Sequence, residues 1–447
     1  MSTIVTRIPP SPTGHFHIGT ARTALFNYLF ARHHGGRIVF RSEDTDRTRS
    51  KREYEDEIIE GLHWLGIEWD EFSRQSEHAP RHRELLEKLV AEGKAYVSAE
   101  PAKDAPERTV EVVRLKNPGK VITFTDLVRG DITFDTTELG DFVIARSLGD
   151  PLYHFAVVVD DMDALVTHVI RGEDHISNTP RQILIQEALG APRPAYAHIP
   201  LILDEKRAKL SKRSGATAVT DYRNEGVLPE ALVNYLALLG WSPGDDREDF
   251  SLAELVAAFS LEGVQKSGAA WSREKLLSVN QRWMRKLSDA DFLTHLDVGR
   301  NSSYMPEERL AKTVPLLKER AQTFGEARDL LSGELACLFT APTPSLDTLR
   351  AKEPADRPGL TKTALEGILA PLESLPDGVS VEAVKDTLMP LADAEEAKGK
   401  GGRGAVLWPL RYALSGQERS PDPFTLITIL GKGESRDRIR TALAILG

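Results

Sequence analysis

The 447-residue sequence predicts an α/β nucleotide-binding domain, split by an insert and followed by an all-helical tail. Three observations predict it. Residues 4–46 read as strand, tight loop, helix and strand, the opening half of an open α/β sheet. Residues 96–150 turn to short alternating runs before a second apolar block begins near Leu152. From Leu228 onward, amphipathic helical runs separated by Gly and Pro dominate.

Ile4 to Ile8 is short, β-branched and bounded by prolines, which suits a buried strand. Leu25, Phe26, Leu29 and Phe30 recur at helical spacing between Ala21 and His33, and Gly35-Gly36 stops that helix. Ile38-Val39-Phe40 is a second strand. Glu53–Leu65 reads as an acid-led helix, Ile67–Asp70 as a short strand or bridging turn, and Arg81–Glu92 as a helix closed by Gly93. From Tyr96 to Val112 the chain is polar and irregular, and Val113–Ile144 alternates in strand-like runs such as Val121–Phe124 and Ile132–Phe134. Tyr153–Val159 reads as a buried strand ending in Asp160-Asp161, and Leu165–Arg171 as another. The next helix has Thr179 placed as N-cap, Pro180 at its first position and Gln182 where a capping box wants it. Helices follow over Leu228–Leu239, Phe250–Phe259 and Arg273–Asn280, with Trp271 and Trp283 as core anchors, and helices with Pro-rich links fill the tail from Ser288.

Composition bounds the class. Hydrophobic content of 41% and charged content of 28% describe an ordinary globular chain of two to four domains. No apolar run approaches the ~20 residues of a membrane helix, and the N-terminus enters a strand without a signal pattern. One cysteine, Cys337, excludes an intramolecular disulfide and a cysteine-rich zinc site, so a reducing cytoplasm is expected. A net charge of −10 does not favour nucleic-acid binding, although contact depends on local patches. Candidate patches are Arg47–Arg52, Lys206–Arg213, Lys398–Arg403 and Lys432–Arg440; each is also readable as a solvated face.

The loop after the first strand carries the chemistry. Gly14 and Gly19 precede Thr20, but no Lys stands before the Thr, so this is no P-loop, and G-x-G-x-x-G is absent. Instead the loop holds His15 and His17, with small Gly19 and Thr20 opening a helix. A helix start attracts phosphate, and imidazole N–H groups can donate to a phosphoryl group gaining charge. A plain strand-to-helix turn with two solvated histidines fits these residues alone equally well. Far downstream, Lys209-Leu210-Ser211-Lys212-Arg213 follows the strand-like Ile199–Leu203.

Together these segments resemble the two ATP signatures of class I aminoacyl-tRNA synthetases: Pro10–Gly14 with His17–Thr20, and Lys209–Arg213. Glu43-Asp44-Thr45-Asp46-Arg47 and Val169–His175 narrow the likeness to the bacterial glutamyl-tRNA synthetase family, over nearly the whole chain. The resemblance implies a Rossmann-type catalytic domain over 1–95 and 151–205, and a shortened inserted lobe over 96–150 that holds the tRNA acceptor end. It also implies a signature-loop and stem-contact helical domain over 206–287, and an all-helical anticodon-binding region of two subdomains over 288–447. Glutaminyl-type relatives have β-barrel tails there. Implied substrates are ATP, L-glutamate and tRNA(Glu), with tRNA(Gln) left open as a second acceptor, and Mg2+ bridging phosphate oxygens. A monomer is expected.

Residue roles follow from the resemblance. ATP falls to Ser11, Thr13, Gly14, His17, Gly19, Thr20, Asp174, Lys209, Leu210, Ser211, Lys212 and Arg213, with His17, Lys209 and Lys212 catalytic. Glutamate falls to Arg7, Ile8, Pro9, Ser11, Glu43, Tyr153, His154, Phe155, Ala156, Val157 and Arg171. Arg7 and Arg171 would hold carboxylate, Glu43 the α-ammonium, and Tyr153 would hydrogen-bond the substrate. The chain departs from its relatives at Pro9, usually Ala, and at Ser42, usually Ile. Many relatives carry a longer segment after Tyr96, some with Cys and His ligands for zinc; here Ser98 and no cysteine stand there, so no zinc is expected. Two other readings are a glutamyl-queuosine tRNA-modifying enzyme, which resembles the catalytic half only, and a catalytically silent tRNA-binding paralogue.

Overall fold

The structure is a computed structural model that describes residues 3–101, 107–204, 206–208, 210, 218–297, 305–398 and 402–447. It divides into two units, Met1–Asn280 and Gln281–Gly447.

In the first unit, β1 (Val5–Ile8), α1 (Ile18–His33), β2 (Arg37–Ser42), α2 (Arg52–Trp64) and β3 (Glu71–Arg74) build a parallel sheet in the order β1-β2-β3. Helix α1 starts a turn before the predicted Ala21, because His17 caps it. α3 (Ala79–Ala91) then leads into β4 (Ala95–Pro101) and β5 (Thr109–Leu115). These two strands pair antiparallel across a stretch that the sequence presents as irregular: in β4 Val97, Ala99 and Pro101 are exposed while Tyr96, Ser98 and Glu100 are half-buried, so no apolar-in, polar-out alternation marks the strand, and the pairing supplies the order.

Strands β6 (Val121–Asp126), β7 (Gly130–Asp135), β8 (Phe142–Ser147) and β9 (Asp150–Pro151) follow. They do not stay together. β8 and β9 extend the β4-β5 sheet, while β6 and β7 join a sheet with β10 (His168–Gly172) and β11 (Ala195–Ile199), in the order β10-β11-β6-β7. Thr167 joins β1 to this sheet: its N–H donates to Val5 O at 3.0 Å, and its Oγ1 accepts from Val5 N at 2.8 Å.

Residues Tyr153–Asp163 form a helix, α4, which corrects the strand expected over 153–159. The run from Phe155 to Asp161 is buried on every side, so it has no polar face to reveal its period. Packing overrides the β-branched composition. In α5 (Thr179–Leu189) Asn178 holds the N-cap position, without a side-chain capping bond, so the expected Thr179 cap is also corrected; Thr179 is already helical.

Past β12 (Ile202–Leu203) come α6 (Val219–Glu225), α7 (Pro229–Leu238), α8 (Leu252–Ala258), β13 (Ala269–Ala270) and α9 (Arg273–Lys286). Trp271 is buried against Tyr222 and Tyr235. Trp283 is only half-buried, with Lys286 Nζ 4.8 Å from its ring centroid, so it is no core anchor.

Among its described residues the second unit is built of helices joined by turns and links, with no strand. It runs α10 (Asp289–Leu296), α11 (Glu307–Arg320), α12 (Phe324–Ser332), α13 (Leu346–Leu349), α14 (Leu360–Ser374), α15 (Val381–Glu396), α16 (Gly404–Ser415), α17 (Pro423–Leu430) and α18 (Lys432–Leu446). Its basic stretches are largely paired. Arg403 meets Asp393 and Glu396, and Arg436 meets Glu373 and Asp437. Arg438 is buried and donates to the carbonyls of Cys337 and Leu414, a structural use of a residue in a candidate patch. Among the described residues no helix is long and apolar enough to cross a membrane.

Candidate functional site

Parallel strands aim their carboxyl ends the same way, and ligands of open α/β sheets bind there. The ends of β1, β2, β10 and β11 carry Arg7, Arg41 with Glu43, Arg171 and His198. All five are buried. Beside them lies a cavity of about 870 Å³, whose lining includes Ser11, Thr13, Glu43, Gln75, His82 and Tyr153.

Helix α4 supplies the counter-charges. Asp161 takes Arg41 Nη1 at 2.7 Å on one oxygen and Arg7 Nε at 3.3 Å on the other. Arg41 also reaches Glu43 Oε1 at 3.1 Å. Burial opposes the charge of Arg41, yet Asp161, Glu43 and Asp160 outweigh it and hold the guanidinium above its ordinary value. Burial pushes the Glu43 carboxyl up, while Arg41 and Arg7 pull it back down. Asp160 accepts from His78 at 2.9 Å and His82 at 2.7 Å on one oxygen, and from Gln75 at 2.7 Å on the other. Those bonds win over burial and keep the carboxyl well below its usual range.

Arg171 is treated differently. Its Nε donates to His198 Nε2 at 3.1 Å, Nη1 to Gln182 Oε1 at 2.8 Å and Nη2 to Thr179 Oγ1 at 2.8 Å. Among the described residues none of these partners is a carboxylate, and burial lowers the guanidinium's pKa. Thr179 and Gln182, which the sequence offers as a capping box, thus grip an arginine. Among the described residues the Gln182 Nε2 finds no acceptor. A buried cation held only by neutral groups is short of an anion.

Of the other residues assigned to glutamate, Tyr153 lies at the start of α4 and lines the cavity. Its hydroxyl is 3.4 Å from His175 Nδ1, and burial followed by Glu43 pushes its pKa up. Ile8, Phe155, Ala156 and Val157 are buried side chains, with Phe155 and Val157 in the main apolar core, so they back the site rather than line it. Pro9 is half-buried, and Pro10 O accepts from Glu43 N at 2.8 Å.

His154 and His175 are both lowered to about 4, first by burial and then by neighbouring arginines. They stay neutral in the folded chain down to about pH 4, while the unfolded chain protonates them below about 6.5. The unfolded state therefore binds more protons in that window, and stability falls as the pH drops through it. His78, raised chiefly by its bond to Asp160, works in the opposite sense and gives up its contribution as the pH rises. Urea midpoints at pH 7 and pH 5 should show the fall in wild type and a smaller one in His154→Gln. Equal falls would remove His154 as a cause.

The first signature loop is locked from several sides. His17 is the N-cap of α1, and its Nδ1 accepts from Gly19 N at 3.0 Å. That leaves the proton of the neutral ring on Nε2. The first turn of α1 holds no acidic residue, so nothing there cancels the positive helix end. Glu57 of α2 accepts from Phe16 N at 3.1 Å on one oxygen and lies 2.8 Å from His15 Nδ1 on the other. Gly14 has open space where a Cβ would stand, Thr13 N donates to Ser11 O at 2.8 Å, and Thr20 sits in the first turn of α1. Across the fold, Asp174 Oδ1 would lie only 2.6 Å from a Cβ on Gly172.

Lys209, Ser211, Lys212 and Arg213 lie outside the described residues, but both flanks are described. Leu210 is buried, and its N–H donates to Ile202 O at 3.1 Å. On the other side Ala218 pairs with His17 in an antiparallel bridge, and Val219 N donates to Phe16 O at 2.8 Å. The chain leaving the second signature is thus tied to the first.

Gly61 gives a test of this lock. A Cβ there would stand 2.5 Å from the Phe16 ring, itself 1% exposed. Alanine gains about 1 kcal/mol of helix propensity over glycine, but overpacking costs roughly 1–3 kcal/mol. Overpacking wins. Gly61→Ala should lower the unfolding midpoint and, by shifting Phe16, slow nucleotide-dependent turnover about tenfold; an unchanged rate would show that Phe16 does not hold the loop.

Sequence reasoning missed Asp126, His198 and Glu57. Each looks ordinary in its own segment, and none belongs to the motifs that carry the resemblance.

The family of class I (E and Q) tRNA synthetase catalytic domains matches residues 3–111 and 100–278, and an anticodon binding domain family matches 281–443. The chain is 39% identical to a glutamate–tRNA ligase of Heliobacterium modesticaldum, covering 100% of this chain and 98% of that one. It is 40% identical to a glutamate–tRNA ligase of Aquifex aeolicus, covering 99% of each. The crystal structure of a glutamate tRNA ligase from Elizabethkingia meningosepticum, in complex with its amino acid, is 31% identical with a TM-score of 0.86 and covers 100% of both chains.

Proposed function

The chain belongs to the class I tRNA synthetases of the glutamate and glutamine type, and from that membership we propose how its residues perform glutamate–tRNA ligation, the activity its full-length relatives share. The observation that carries the proposal is the buried Arg171 guanidinium with only neutral bonds beside a cavity that Glu43 and Tyr153 line. The side-chain carboxylate of glutamate is the missing anion, bound by Arg171 and Arg7, because planar guanidinium groups bind carboxylates in bidentate fashion. Glu43 takes the α-ammonium, and Tyr153 adds a hydroxyl. Glutamine would leave Arg171 without its anion, which is the basis for rejecting it.

The α-carboxylate of glutamate attacks the α-phosphorus of ATP, the bond to pyrophosphate breaks, and glutamyl-adenylate forms. A ribose hydroxyl of the terminal adenosine of tRNA(Glu) then attacks the activated carbonyl and releases AMP. Such displacements ask for positioning and charge stabilisation rather than an enzyme nucleophile. His17 Nε2–H and the start of α1 serve the α-phosphate; Ser11, Thr13, Gly14, Gly19, Thr20, Asp174 and Leu210 frame the nucleotide. Lys209 and Lys212, with Ser211 and Arg213, are assigned to the departing pyrophosphate, and Mg2+ enters as part of the ATP substrate. A monomer working in the cytoplasm completes the reading.

Glutamate-dependent ATP–pyrophosphate exchange tests it, run with and without tRNA(Glu) and with glutamine as control; aminoacylation of tRNA(Gln) is scored in parallel. Exchange with glutamate but not glutamine is expected. Exchange with neither, while tRNA still binds, would favour a silent tRNA-binding chain.

A further inference from the structure

Arg171 is held by a residue that is itself held. His198 is fully buried on β11, and its Nδ1 lies 2.6 Å from Asp126 Oδ2. The other oxygen of Asp126 accepts backbone N–H groups from Val128 at 3.0 Å, Arg129 at 2.9 Å and His198 at 3.2 Å. A carboxylate with that many donors is an acceptor only, so the imidazole must give its Nδ1 proton to it. Its Nε2 then presents a lone pair, and Arg171 Nε donates to that lone pair at 3.1 Å. The order of bonds is guanidinium to imidazole to carboxylate, each donating in one direction. Three of the five N–H donors of Arg171 are committed to His198, Gln182 and Thr179, leaving one on each terminal nitrogen for an anion.

We infer that Asp126 and His198 are positioning residues for amino-acid specificity: Asp126 fixes the His198 tautomer, and His198 in turn fixes the plane of the Arg171 guanidinium that receives the substrate's side-chain carboxylate. This rests on the assignment of that carboxylate to Arg171. Asp126 is buried and does not line the cavity. It ends β6 within the segment inserted between the two halves of the catalytic sheet, and it reaches His198 because β6 pairs with β11 at Tyr196 and Asp126. The turn it occupies has a second anchor. Arg129 donates to His198 O at 3.2 Å, to Lys266 O at 2.6 Å and to Glu173 at 2.5 Å. The Asp126–His198 bond is therefore available for setting the tautomer rather than needed to hold the loop.

Asp126→Asn isolates the effect. The amide oxygen can keep the three backbone N–H groups, but an NH2 now faces His198 Nδ1. The imidazole must accept there and carry its proton on Nε2, which places donor against donor at Arg171 Nε. The wrong-tautomer logic is that known for a catalytic triad whose aspartate becomes asparagine. The expected result is a rise of at least tenfold in the glutamate KM, a similar loss of preference for glutamate over glutamine, and an ATP KM within twofold of wild type. A merely structural role would move both KM values or neither.

Arg171→Ala is run beside it. If Arg171→Ala disturbs glutamate and Asp126→Asn does not, the relay is wrong and the assignment of Arg171 stands. If Arg171→Ala leaves the glutamate KM and the choice against glutamine intact, the assignment itself fails. Nitrogen-15 NMR of histidine-labelled wild type, with the His198 signal assigned by its loss in His198→Gln, needs no Asp126 variant to fold. A neutral Nδ1–H ring supports the relay; an Nε2–H ring or an imidazolium overturns it.

Discussion

Arg171→Ala should lower kcat/KM for glutamate by about three orders of magnitude without lowering the unfolding midpoint. The two halves of that result have one cause. Arg171 is 5% exposed and bonded only to His198, Gln182 and Thr179, so the free enzyme carries a desolvated cation with no carboxylate bonded to it among the described residues. Removing one member of a buried charge pair costs roughly 3–5 kcal/mol, and on the proposed assignment the pair here forms only when glutamate binds. The loss therefore falls on binding and catalysis. In the free protein the deletion leaves two or three acceptors short, at about 1–2 kcal/mol each, but it also relieves the desolvation of an unpaired cation, several kcal/mol in the opposite direction. Arg171→Met, which refills the volume, should be neutral or stabilising. Arg171→Lys should stay at least tenfold impaired, because an ammonium cannot reproduce three bonds in one plane. Chemical denaturation and exchange kinetics on the same preparations check both halves; a stability loss that matches the activity loss would make Arg171 a structural residue.

The parts of this site that can be read from the sequence are those whose signals are local. β1, α1 and β2 follow from apolar spacing and glycine stops, and His17 announces itself beside Gly19 at a helix start. Arg7, Glu43 and Arg171 stand at strand ends, where chemistry is expected in such sheets. Other parts depend on contacts between distant segments. Asp126 and His198 meet only because the chain returns to add β6 beside β11. Glu57 looks like a solvated acid on the polar face of α2, yet it binds the backbone of the signature loop. Thr179 and Gln182 fit a helix-capping pattern, but Asn178 takes the cap position, and the pattern's side chains serve Arg171. Tyr153–Asp163 shows the same limit for secondary structure: a helix buried all round from Phe155 to Asp161 has no period to read there.

His17→Asn should cut the rate of adenylate formation by two to three orders of magnitude while leaving the protein as stable as wild type. The residue does two separable jobs. As N-cap it accepts from Gly19 N, and losing a cap costs about 1 kcal/mol. As donor, on the proposed reading, it offers Nε2–H to the α-phosphate, and removing one such transition-state donor costs about 10²–10³ in rate. Asparagine is among the best N-cap residues, so it can keep the first job, but its short side chain ends at the cap and cannot reach as the imidazole does. His17→Ala loses both and should add about 1 kcal/mol of destabilisation to the same loss of rate. The difference between the two variants then measures the cap alone. Single-turnover formation of glutamyl-adenylate, read beside denaturant midpoints, separates them. If His17→Asn retained wild-type rates, the imidazole would be a cap only, and the α-phosphate would depend on the helix start and the second signature.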